Sequence, residues 1–530
     1  MTDRPSNGGV AFVTGLPGRL GALGPWRRRG LLFGLGAATV LGLPPVDAWP
    51  VAFLTLPMLI WLLESAQSRK QAFGTGWWFL FGYFAVGWYW ISNALLVFSA
   101  SLAWMIPFAL IGLPGALAIY GGLALLIPHI LLGPGPRRRV ARVLLTVAAL
   151  AGADIARGFL LTGFPWNVFG YLWSGTEALS QSAALFGVYG IGLLVLLSGA
   201  LPALAANGGR KAIAALAVAV AMPLLTYAGG AVRLADAPDL AVQQADPALP
   251  GLRMVQANVP QREKWRHELR ERNLQIHLLD SSEGRPDWVG AVLWPETAAA
   301  FLVEDSDDYR AAMARYAVPE NGYLITGTPR RTRQPVKALF NSVVAIDDRS
   351  VVRARYDKAH LVPFGEYVPL AKYMPFGKVA AGEIDYSPGP GPRTIRLAGL
   401  PPVSPLICYE VIFPSAVTDL ADRPAWLLNV TNDAWYGRTA GPYQHLQHAR
   451  MRAVEEGLPL VRPANTGISI AFDGYGREIG RIPLETRGVL DLRLPPSLAP
   501  TVFAQWGMTL PLVMLALLVA GGLFARRIKV

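Results

Sequence analysis

"SPLICYEVIFP", residues 404–414, is an apolar run that turns polar directly after Cys408. Cys408 is the only cysteine among 530 residues, so the chain cannot form an internal disulfide. Two other short apolar runs also end in a reactive group, since "VLWPE" ends at Glu296 and "VVRARYDK" ends at Lys358. Side chains that follow the carboxyl ends of strands can meet at one edge of a sheet. The sequence therefore predicts a sheet edge that gathers a carboxyl, an amine and a thiol.

The surrounding residues 250–493 have the pattern of one α/β domain. Short β-rich runs are bounded by Gly, Pro, Asn and Asp, and segments with helical spacing lie between several of them. Strands mixed with helices indicate a sheet-centred core. The β-rich runs are "WVGAVLW", "GYLITGT", "NSVVAI", "VVRARY", "PLIC", "WLLNVT" and "GISIAF", and the helical segments are 261–280, 307–317, 414–422 and 441–457.

The rest of the chain has the composition of a membrane protein. The whole sequence is 52% hydrophobic and only 16% charged, whereas a soluble chain usually has about 25% charged residues. At roughly 20 residues per helix, its apolar runs predict eight spans. One run is interrupted by Asp154 and Arg157, which we expect to face other helices rather than lipid. The predicted spans lie at 30–46, 48–63, 140–160, 178–209, 212–232 and 494–525, with two more inside 71–136.

Basic residues predict the orientation of these spans. Five basic clusters fall on alternate loops, which by the positive-inside rule places both termini in the cytoplasm. The predicted organisation is a seven-span bundle at 1–232, an extracytoplasmic catalytic domain at 233–500 and a last span with a basic tail at 501–530. The clusters hold 14 positive charges, more than the net charge of +12. The basic balance thus reflects topology, and no nucleic-acid partner is expected.

Each of the three reactive groups also has a plain structural interpretation. A lone cysteine is often a small buried hydrophobe, and Glu296 and Lys358 could both be exposed surface charges. A nucleophilic Cys408 needs a base, a positive charge and a sharp turn that exposes its sulfur, and the three strand ends together offer these parts. His445 and His448, at i and i+3, lack a third partner and are predicted to be ordinary helix residues. We expect no metal and no other cofactor.

Five longer stretches carry a resemblance to a known family. They are "VQANVPQREKW", "LWPETA", "YDKAHLVPFGEYVPL", "ICYEVIFP" and "NDAWYGRTAGPYQHLQHARMRAVEEGLPLVRPANTGIS". In this order they resemble the carbon–nitrogen hydrolase (nitrilase) superfamily. With the flanking spans, nearly the whole chain is similar to the apolipoprotein N-acyltransferase family of the bacterial inner membrane. The resemblance implies an αββα nitrilase-like domain on a bundle of membrane helices.

The resemblance also implies a reaction and its residues. The reaction is acyl transfer from a phospholipid, through a thioester, to the N-terminal amine of diacylglyceryl-cysteine in an apolipoprotein. The motifs map a catalytic triad and four supporting residues. In the triad Glu296 is the general base, Lys358 the oxyanion stabiliser and Cys408 the nucleophile; the supporting residues are Glu366, Tyr409, Glu410 and, on looser spacing, Trp265.

Two other function classes stay open at this point. A membrane-tethered amidase or nitrilase would use the same triad and release its product to water. A transporter would be expected to carry charges along a pathway through its spans, most of which are charge-free. The aromatic and proline-rich segment 361–377 further predicts a mobile, membrane-facing gate with hinges at Gly365 and Gly377.

Overall fold

The computed structural model describes residues 8–98, 100–333, 337–369 and 385–528. Their α-helices are α1 (Gly8–Gly21), α2 (Pro25–Thr39), α3 (Ala52–Glu64), α4 (Arg69–Gly87), α5 (Ile91–Phe98), α6 (Leu113–Leu117), α7 (Ile119–Leu132), α8 (Arg139–Phe159), α9 (Glu177–Ser180), α10 (Ala183–Ala200), α11 (Gly209–Ala235), α12 (Leu240–Ala245), α13 (Gln261–Lys264), α14 (Arg270–Ser282), α15 (Asp307–Tyr316), α16 (Gly441–Glu456), α17 (Val502–Trp506) and α18 (Thr509–Arg527).

The strands of the described residues form two sheets. A six-stranded sheet has the order β11-β1-β2-β3-β4-β5, and a five-stranded sheet has the order β10-β9-β8-β7-β6. The strands are β1 (Gly251–Gln256), β2 (Val289–Leu293), β3 (Tyr323–Thr332), β4 (Ala338–Asp347), β5 (Val352–Asp357), β6 (Val403–Ile407), β7 (Trp426–Val430), β8 (Leu460–Arg462), β9 (Ser469–Phe472), β10 (Glu478–Ile482) and β11 (Gly488–Arg493).

The alternation of side chains along the strands explains why the two sheets pack face to face. In β4, Val343 and Ala345 belong to a core cluster that joins both sheets, whereas Val344 and Ile346 belong to a cluster with α14 and α15. Successive side chains of a strand point to opposite faces, so an apolar run of this kind must be covered on both sides. Helix α16 packs against β8 of the five-stranded sheet. The layers are therefore helix, sheet, sheet and helix, and the predicted α/β nitrilase-like domain is confirmed.

The secondary-structure predictions in this domain hold with one exception. All seven predicted strands are present, and helices occupy 307–316, 441–456 and most of 261–282. The helix predicted at 414–422 is wrong, because the chain there runs through turns and bends. The spacing of its apolar residues allows a helix, but Ser415 near its start adopts a positive φ of 59°, which a right-handed helix does not accommodate.

The predicted count of eight spans is not supported by the structure. Among the described residues, five helical stretches are long and apolar enough to cross a membrane, or six if the bent pair Arg69–Gly87 and Ile91–Val97 counts as one span. The first two predicted spans fold as shorter helices, α2 with 15 residues and the apolar helix Trp49–Glu64. At 1.5 Å per residue, helices of this length cover about 23 Å, less than the roughly 30 Å of a hydrocarbon core.

Two ion pairs between buried side chains lie inside the helical region. Arg157 of α8 contacts Asp154 at 3.0 Å, and Asp154 also accepts the backbone N–H of Phe169 at 2.7 Å. Arg139 forms a buried ion pair with Glu64 at 2.6 Å. Such pairing is the common solution for charges in an apolar surrounding. Asp154 and Arg157 are both buried, and the Arg157 guanidinium lies 5.1 Å from the centre of the Phe84 ring of α4, as predicted for residues that face other helices.

The chain divides into two compact units. The first comprises Met1–Tyr89, Ile106–Ala235 and Trp506–Val530, and the second comprises Trp90–Met105 and Asp236–Gln505. Helix α5 thus belongs to the α/β unit although it follows α4 closely in sequence. Within that unit the Asn93 side chain donates to the carbonyl of Trp435 at 3.1 Å, and Arg262 donates to the carbonyl of Leu96 at 3.1 Å.

Candidate active site

Glu296 lies in a tight turn after β2. The turn is held against β3, since the N–H of Gly327 donates to the carbonyl of Pro295 at 3.2 Å and the N–H of Ala299 donates to that of Gly327 at 3.2 Å. A Cβ on Gly327 would lie 2.4 Å from the backbone nitrogen of Thr297 and 2.7 Å from Cα of Glu296. Only glycine permits this close approach, which places the Glu296 carboxylate in the protein interior.

Lys358 follows β5, at the same sheet edge. β2 and β3 are parallel, β4 runs opposite to β3, and β5 runs opposite to β4, so the carboxyl ends of β2, β3 and β5 point the same way. The Lys358 side chain is 1% exposed, and its Nζ lies 2.9 Å from Glu366 Oε2 and 3.8 Å from Glu296 Oε1. Two buried carboxylates therefore share one buried ammonium.

Cys408 ends β6 in a strained turn. Its φ is +52°, and a 3₁₀ helix, Cys408–Ile412, begins at this residue. A left-handed conformation costs a non-glycine residue roughly 1–2 kcal/mol, and such strain recurs where a nucleophile must leave the plane of a sheet. The residue is buried, with 6% of its surface exposed. The expected sharp turn is present, but the cysteine that it was expected to expose is buried.

The three groups are electrostatically coupled. Burial raises the pKa of the Cys408 thiol; the Glu296 charge raises it further and Lys358 lowers it. Burial likewise raises the pKa of Glu296 above its usual range, although Lys358 opposes that shift. For Lys358, burial alone would lower the pKa, but Glu366 and Glu296 overcome it and hold the ammonium charged. The resting site thus contains a thiol, a basic carboxylate and a permanent cation.

Asn341 joins the two carboxylates, and the sequence reasoning missed it. The residue lies on β4, and its side-chain Nδ2 donates to Glu296 Oε1 at 2.7 Å and to Glu366 Oε1 at 2.9 Å. Its backbone carbonyl also accepts the N–H of Lys358 at 2.9 Å. Asn341 therefore holds all three charged residues. Glu296, Glu366 and Lys358 lie 45, 25 and 17 positions from Asn341 in the sequence, so only the tertiary fold brings them to this residue.

Glu410 ties the nucleophile turn to the lysine loop. Its Oε2 accepts the N–H of Ile407 at 2.7 Å, and its Oε1 accepts the Tyr356 hydroxyl at 2.8 Å and the N–H of Ala359 at 2.7 Å. These groups stand on both sides of Lys358 and directly before Cys408. Tyr409 is buried and packs edge-on against Phe413 at 5.1 Å between ring centroids. Both residues lie beside the candidate triad.

The segment between β1 and α14 brings to the site a residue that was not predicted, next to Trp265, whose role stays a prediction. Trp265 is 41% exposed, whereas its neighbour Lys264 is buried. The Lys264 Nζ donates to the backbone carbonyl of Glu296 at 3.0 Å. Burial lowers the pKa of Lys264 to about 8, while the charges of Glu296 and Cys408 raise it. Lys264 directly precedes Trp265 in the stretch "REKW", but no local sequence pattern indicates which of these two side chains is buried.

His445 is not an ordinary helix residue, which corrects the interpretation from spacing. It is fully buried beside the nucleophile, with Nε2 3.2 Å from the carbonyl of Cys408 and Nδ1 2.8 Å from Asp433 Oδ1. Cys408, Asp433 and His445 place possible metal-ligand atoms within 4.8 Å of one another. However, both histidine nitrogens face protein partners and the guanidinium of Arg462 contacts Asp433 Oδ2 at 2.7 Å. A fixed cation inside the cluster makes it a poor metal site.

Part of the predicted gate is described. Residues 361–369 form a compact turn, in which the N–H of Phe364 donates to the carbonyl of Tyr367 at 2.7 Å and the N–H of Val362 donates to Glu366 Oε2 at 2.8 Å. The remainder, 370–377 with the second hinge Gly377, lies outside the described residues. The gate stays a prediction.

The layered fold is that of a nitrilase-type α/β domain, and comparisons with known proteins agree. The carbon-nitrogen hydrolase family matches residues 285–501, and the apolipoprotein N-acyltransferase N-terminal domain matches residues 35–201. The chain is 37% identical over 525 residues to the Apolipoprotein N-acyltransferase of Rhodopseudomonas palustris, covering 95% of this chain and 96% of that one. It is 38% identical over 517 residues to that of Bradyrhizobium diazoefficiens, covering 93% and 94%.

The chain belongs to the apolipoprotein N-acyltransferase family. Among solved structures, it matches a nitrilase-superfamily amidase from Nesterenkonia AN1 at 20% identity and a TM-score of 0.36, over 49% of this chain and 95% of that chain. Membership of the family accounts for the combination of apolar helices and an α/β domain in one chain.

Proposed function

We propose that the protein transfers an acyl chain from a membrane phospholipid, through a thioester on Cys408, to the N-terminal amine of diacylglyceryl-cysteine in an apolipoprotein. One observation supports this most strongly: Glu296 and Lys358 are buried 3.8 Å apart, and their charges both act on the pKa of the buried Cys408 thiol, in a chain that also carries membrane-length apolar helices. No metal or organic cofactor is needed, because an ester and an amine exchange one acyl group.

In the first half-reaction Cys408 attacks the ester carbonyl of the phospholipid. Glu296 takes the thiol proton as sulfur attacks, because a thiol of raised pKa does not ionise by itself near neutral pH. The ammonium of Lys358 stabilises the oxyanion, a role suited to a cation that remains charged throughout. The carbon–oxygen bond then breaks, Glu296 returns the proton to the leaving lipid alcohol, and the thioester remains.

In the second half-reaction the amine of the apolipoprotein attacks the thioester. Glu296 accepts the amine proton, the carbon–sulfur bond breaks, and the proton returns to the thiolate of Cys408. The buried environment raises the pKa of Glu296 above its usual range, which suits a carboxylate that must take up and release one proton in each half of the cycle. The two lipid substrates bind in turn and never together.

Glu366, Asn341 and Glu410 hold the reacting groups in place. Glu366 keeps Lys358 charged and Asn341 fixes the Glu296 carboxylate. Glu410 links the two turns that carry Lys358 and Cys408. We assign Tyr409 to the wall of the same site and Trp265, which is exposed, to contact with substrate at its entrance.

The proposed location is the inner membrane of a bacterium, with the α/β domain on the extracytoplasmic side and both termini in the cytoplasm. The basic loop clusters support this orientation. The two relatives compared above are both bacterial proteins called Apolipoprotein N-acyltransferase, which supports the location in a bacterial membrane.

The test is to incubate the purified full-length protein with phospholipid vesicles and to measure its intact mass by mass spectrometry. We expect a mass increase of one acyl group that is lost on addition of an apolipoprotein peptide bearing diacylglyceryl-cysteine, with the acyl chain recovered on the peptide amine. Cys408→Ala should show neither event while remaining folded. Release of free fatty acid without transfer to peptide would instead support a membrane-tethered hydrolase, and normal turnover by Cys408→Ala would refute the covalent route.

A further inference from the structure

The carbonyl of Cys408 has its own hydrogen-bond donors, apart from the groups that act on its sulfur. Asn429 of β7 donates from Nδ2 to this oxygen at 3.4 Å, and also to the carbonyl of Leu406 at 3.3 Å. His445 of α16 approaches the same oxygen with Nε2 at 3.2 Å. Two side chains from two neighbouring elements therefore converge on the backbone of the residue whose φ is +52°.

The partners of His445 define how its ring can be protonated. Nε2 faces the carbonyl of Cys408, which can only accept a hydrogen bond. Nδ1 lies 2.8 Å from Asp433 Oδ1, which also only accepts, and 3.0 Å from an Arg462 nitrogen, which only donates. The charged ring donates from both nitrogens, one neutral tautomer donates from Nε2 and accepts from Arg462, and the other neutral tautomer donates from Nδ1 to Asp433. Two of these three states place a proton on Nε2, toward Cys408.

Arg462 connects the two donors. Its guanidinium donates to Asn429 Oδ1 at 2.5 Å and to Asp433 Oδ2 at 2.7 Å. The side chains of Arg462, Asp433, His445 and Asn429 are all completely buried. Burial works against the Asp433 charge, but Arg462 and His445 keep its pKa below the usual range. A fully buried ionic network is costly unless its members are paired, and here each charge has a partner.

The same network also adjoins the thiol of the nucleophile. The backbone N–H of Asn432, directly before Asp433, lowers the pKa of the Cys408 thiol. Arg462 contacts Asp433 at 2.7 Å and so helps to hold this loop after β7. Groups near the carbonyl of Cys408 and near its thiol are therefore both connected to one buried arginine.

We propose that His445 is a positioning residue for the nucleophile. Its Nε2–H, with Asn429, holds the Cys408 carbonyl and keeps the backbone in the left-handed turn that directs the sulfur toward Glu296 and Lys358. Asp433 and Arg462 hold the imidazole in the donating orientation. This inference rests on the proposed function only in taking Cys408 as the nucleophile.

The test compares two amides at position 445. His445→Gln places its amide nitrogen near the Nε2 position and keeps the donor, whereas His445→Asn places it near Nδ1, where it cannot reach the carbonyl. His448, also buried on α16 one turn later, supplies the control variant His448→Asn. Thermal melting of the full-length protein in detergent reports folding. The readout is the single-turnover rate of thioester formation with phospholipid.

We expect His445→Gln to acylate within about threefold of the parent and His445→Asn to acylate at least about tenfold more slowly, as for the loss of one catalytically oriented hydrogen bond. Equal rates for the two variants would overturn the proposal, as would a His448→Asn variant impaired as much as His445→Asn. If His445→Asn does not fold, Asn429→Ser removes the other donor to the same carbonyl, and parental acylation by that variant would also overturn the proposal.

An independent readout separates this inference from the proposed function. Cys408 is the only cysteine, so alkylation by iodoacetamide reports its thiol alone. If the parent formed no thioester, the proposed function would fail, but the rate of alkylation at one fixed pH would still test the positioning role. We expect that rate to fall in His445→Asn and not in His445→Gln, because a displaced sulfur loses the Lys358 charge that lowers the thiol pKa. Equal rates in the two variants would overturn the inference.

Discussion

The amide of Asn341 provides the sharpest test of how the site holds its base. Asn341→Leu removes both donors that Nδ2 directs at Glu296 and Glu366 while keeping a similar volume. A hydrogen bond to a charged group is worth about 1.5–3 kcal/mol, and 1.36 kcal/mol corresponds to one pKa unit. Because the bond to Glu296 favours the ionised carboxylate, its loss should raise the pKa of Glu296 by about one to two units.

A raised pKa of Glu296 in Asn341→Leu should lower the rate of thioester formation at acidic pH. A base must be ionised to accept a proton, and the pKa of Glu296 is already raised by burial. A further rise moves the acid limb of the pH–rate profile to higher pH, by about one to two units. At a pH below the new limb, thioester formation should fall about 10- to 100-fold, and raising the pH should restore much of it.

The assay is single-turnover thioester formation, followed by mass spectrometry across a pH series. Asn273→Leu removes another buried asparagine of the α/β unit and serves as the control for general loss of stability. An acid limb that stays in place in Asn341→Leu, with a normally folded protein, would refute the role of this amide in keeping Glu296 ionised. A loss of rate that is uniform across pH would likewise contradict the reasoning.

Three further predictions concern Lys358, Glu410 and the membrane topology. Lys358→Met leaves two buried carboxylates without their ammonium, so acylation should fall about 10²- to 10³-fold and stability by about 3–5 kcal/mol; parental rates in the folded variant would remove Lys358 from the mechanism. Glu410→Gln turns one acceptor oxygen into a donor among N–H groups, which should lower the melting temperature and slow acylation together, measured by thermal melting and single turnover; a slow but equally stable variant would instead indicate direct contact with substrate. Reporter fusions at Ala245 and Val530 should report opposite compartments, and identical signals would contradict the predicted orientation.

The sequence by itself was sufficient to predict the α/β domain and the reactive residues that follow its strands. Glu296, Lys358 and Cys408 each follow a short β-rich run with local turn signals, and such signals depend on neighbours within a few positions. The strands at 289–293, 352–357 and 403–407 appear where the β-rich runs predict them. Local chemistry of this kind is readable before any tertiary contact is known.

Hydropathy was sufficient to find the apolar runs but not to count the spans. The run 71–136 contains no charged residue, yet the helix is bent by 43° near residue 90 and α5 joins the α/β unit. A uniform apolar composition does not mark where a helix breaks, because the break depends on which surface the next segment packs against. The same limit explains why 30–46 and 48–63 fold as helices shorter than a span.

Only the tertiary structure decided which polar side chains surround the nucleophile. Three such side chains are Asn341 of β4, Lys264 at the end of α13, and His445 of α16. Each lies far from the nucleophile in sequence and reaches the site only because the strands and helices pack together. From spacing alone, His445 on its helix could not be distinguished from a packed core residue. A buried polar group must find partners, and those partners are chosen by the packing of layers rather than by the order of residues along the chain.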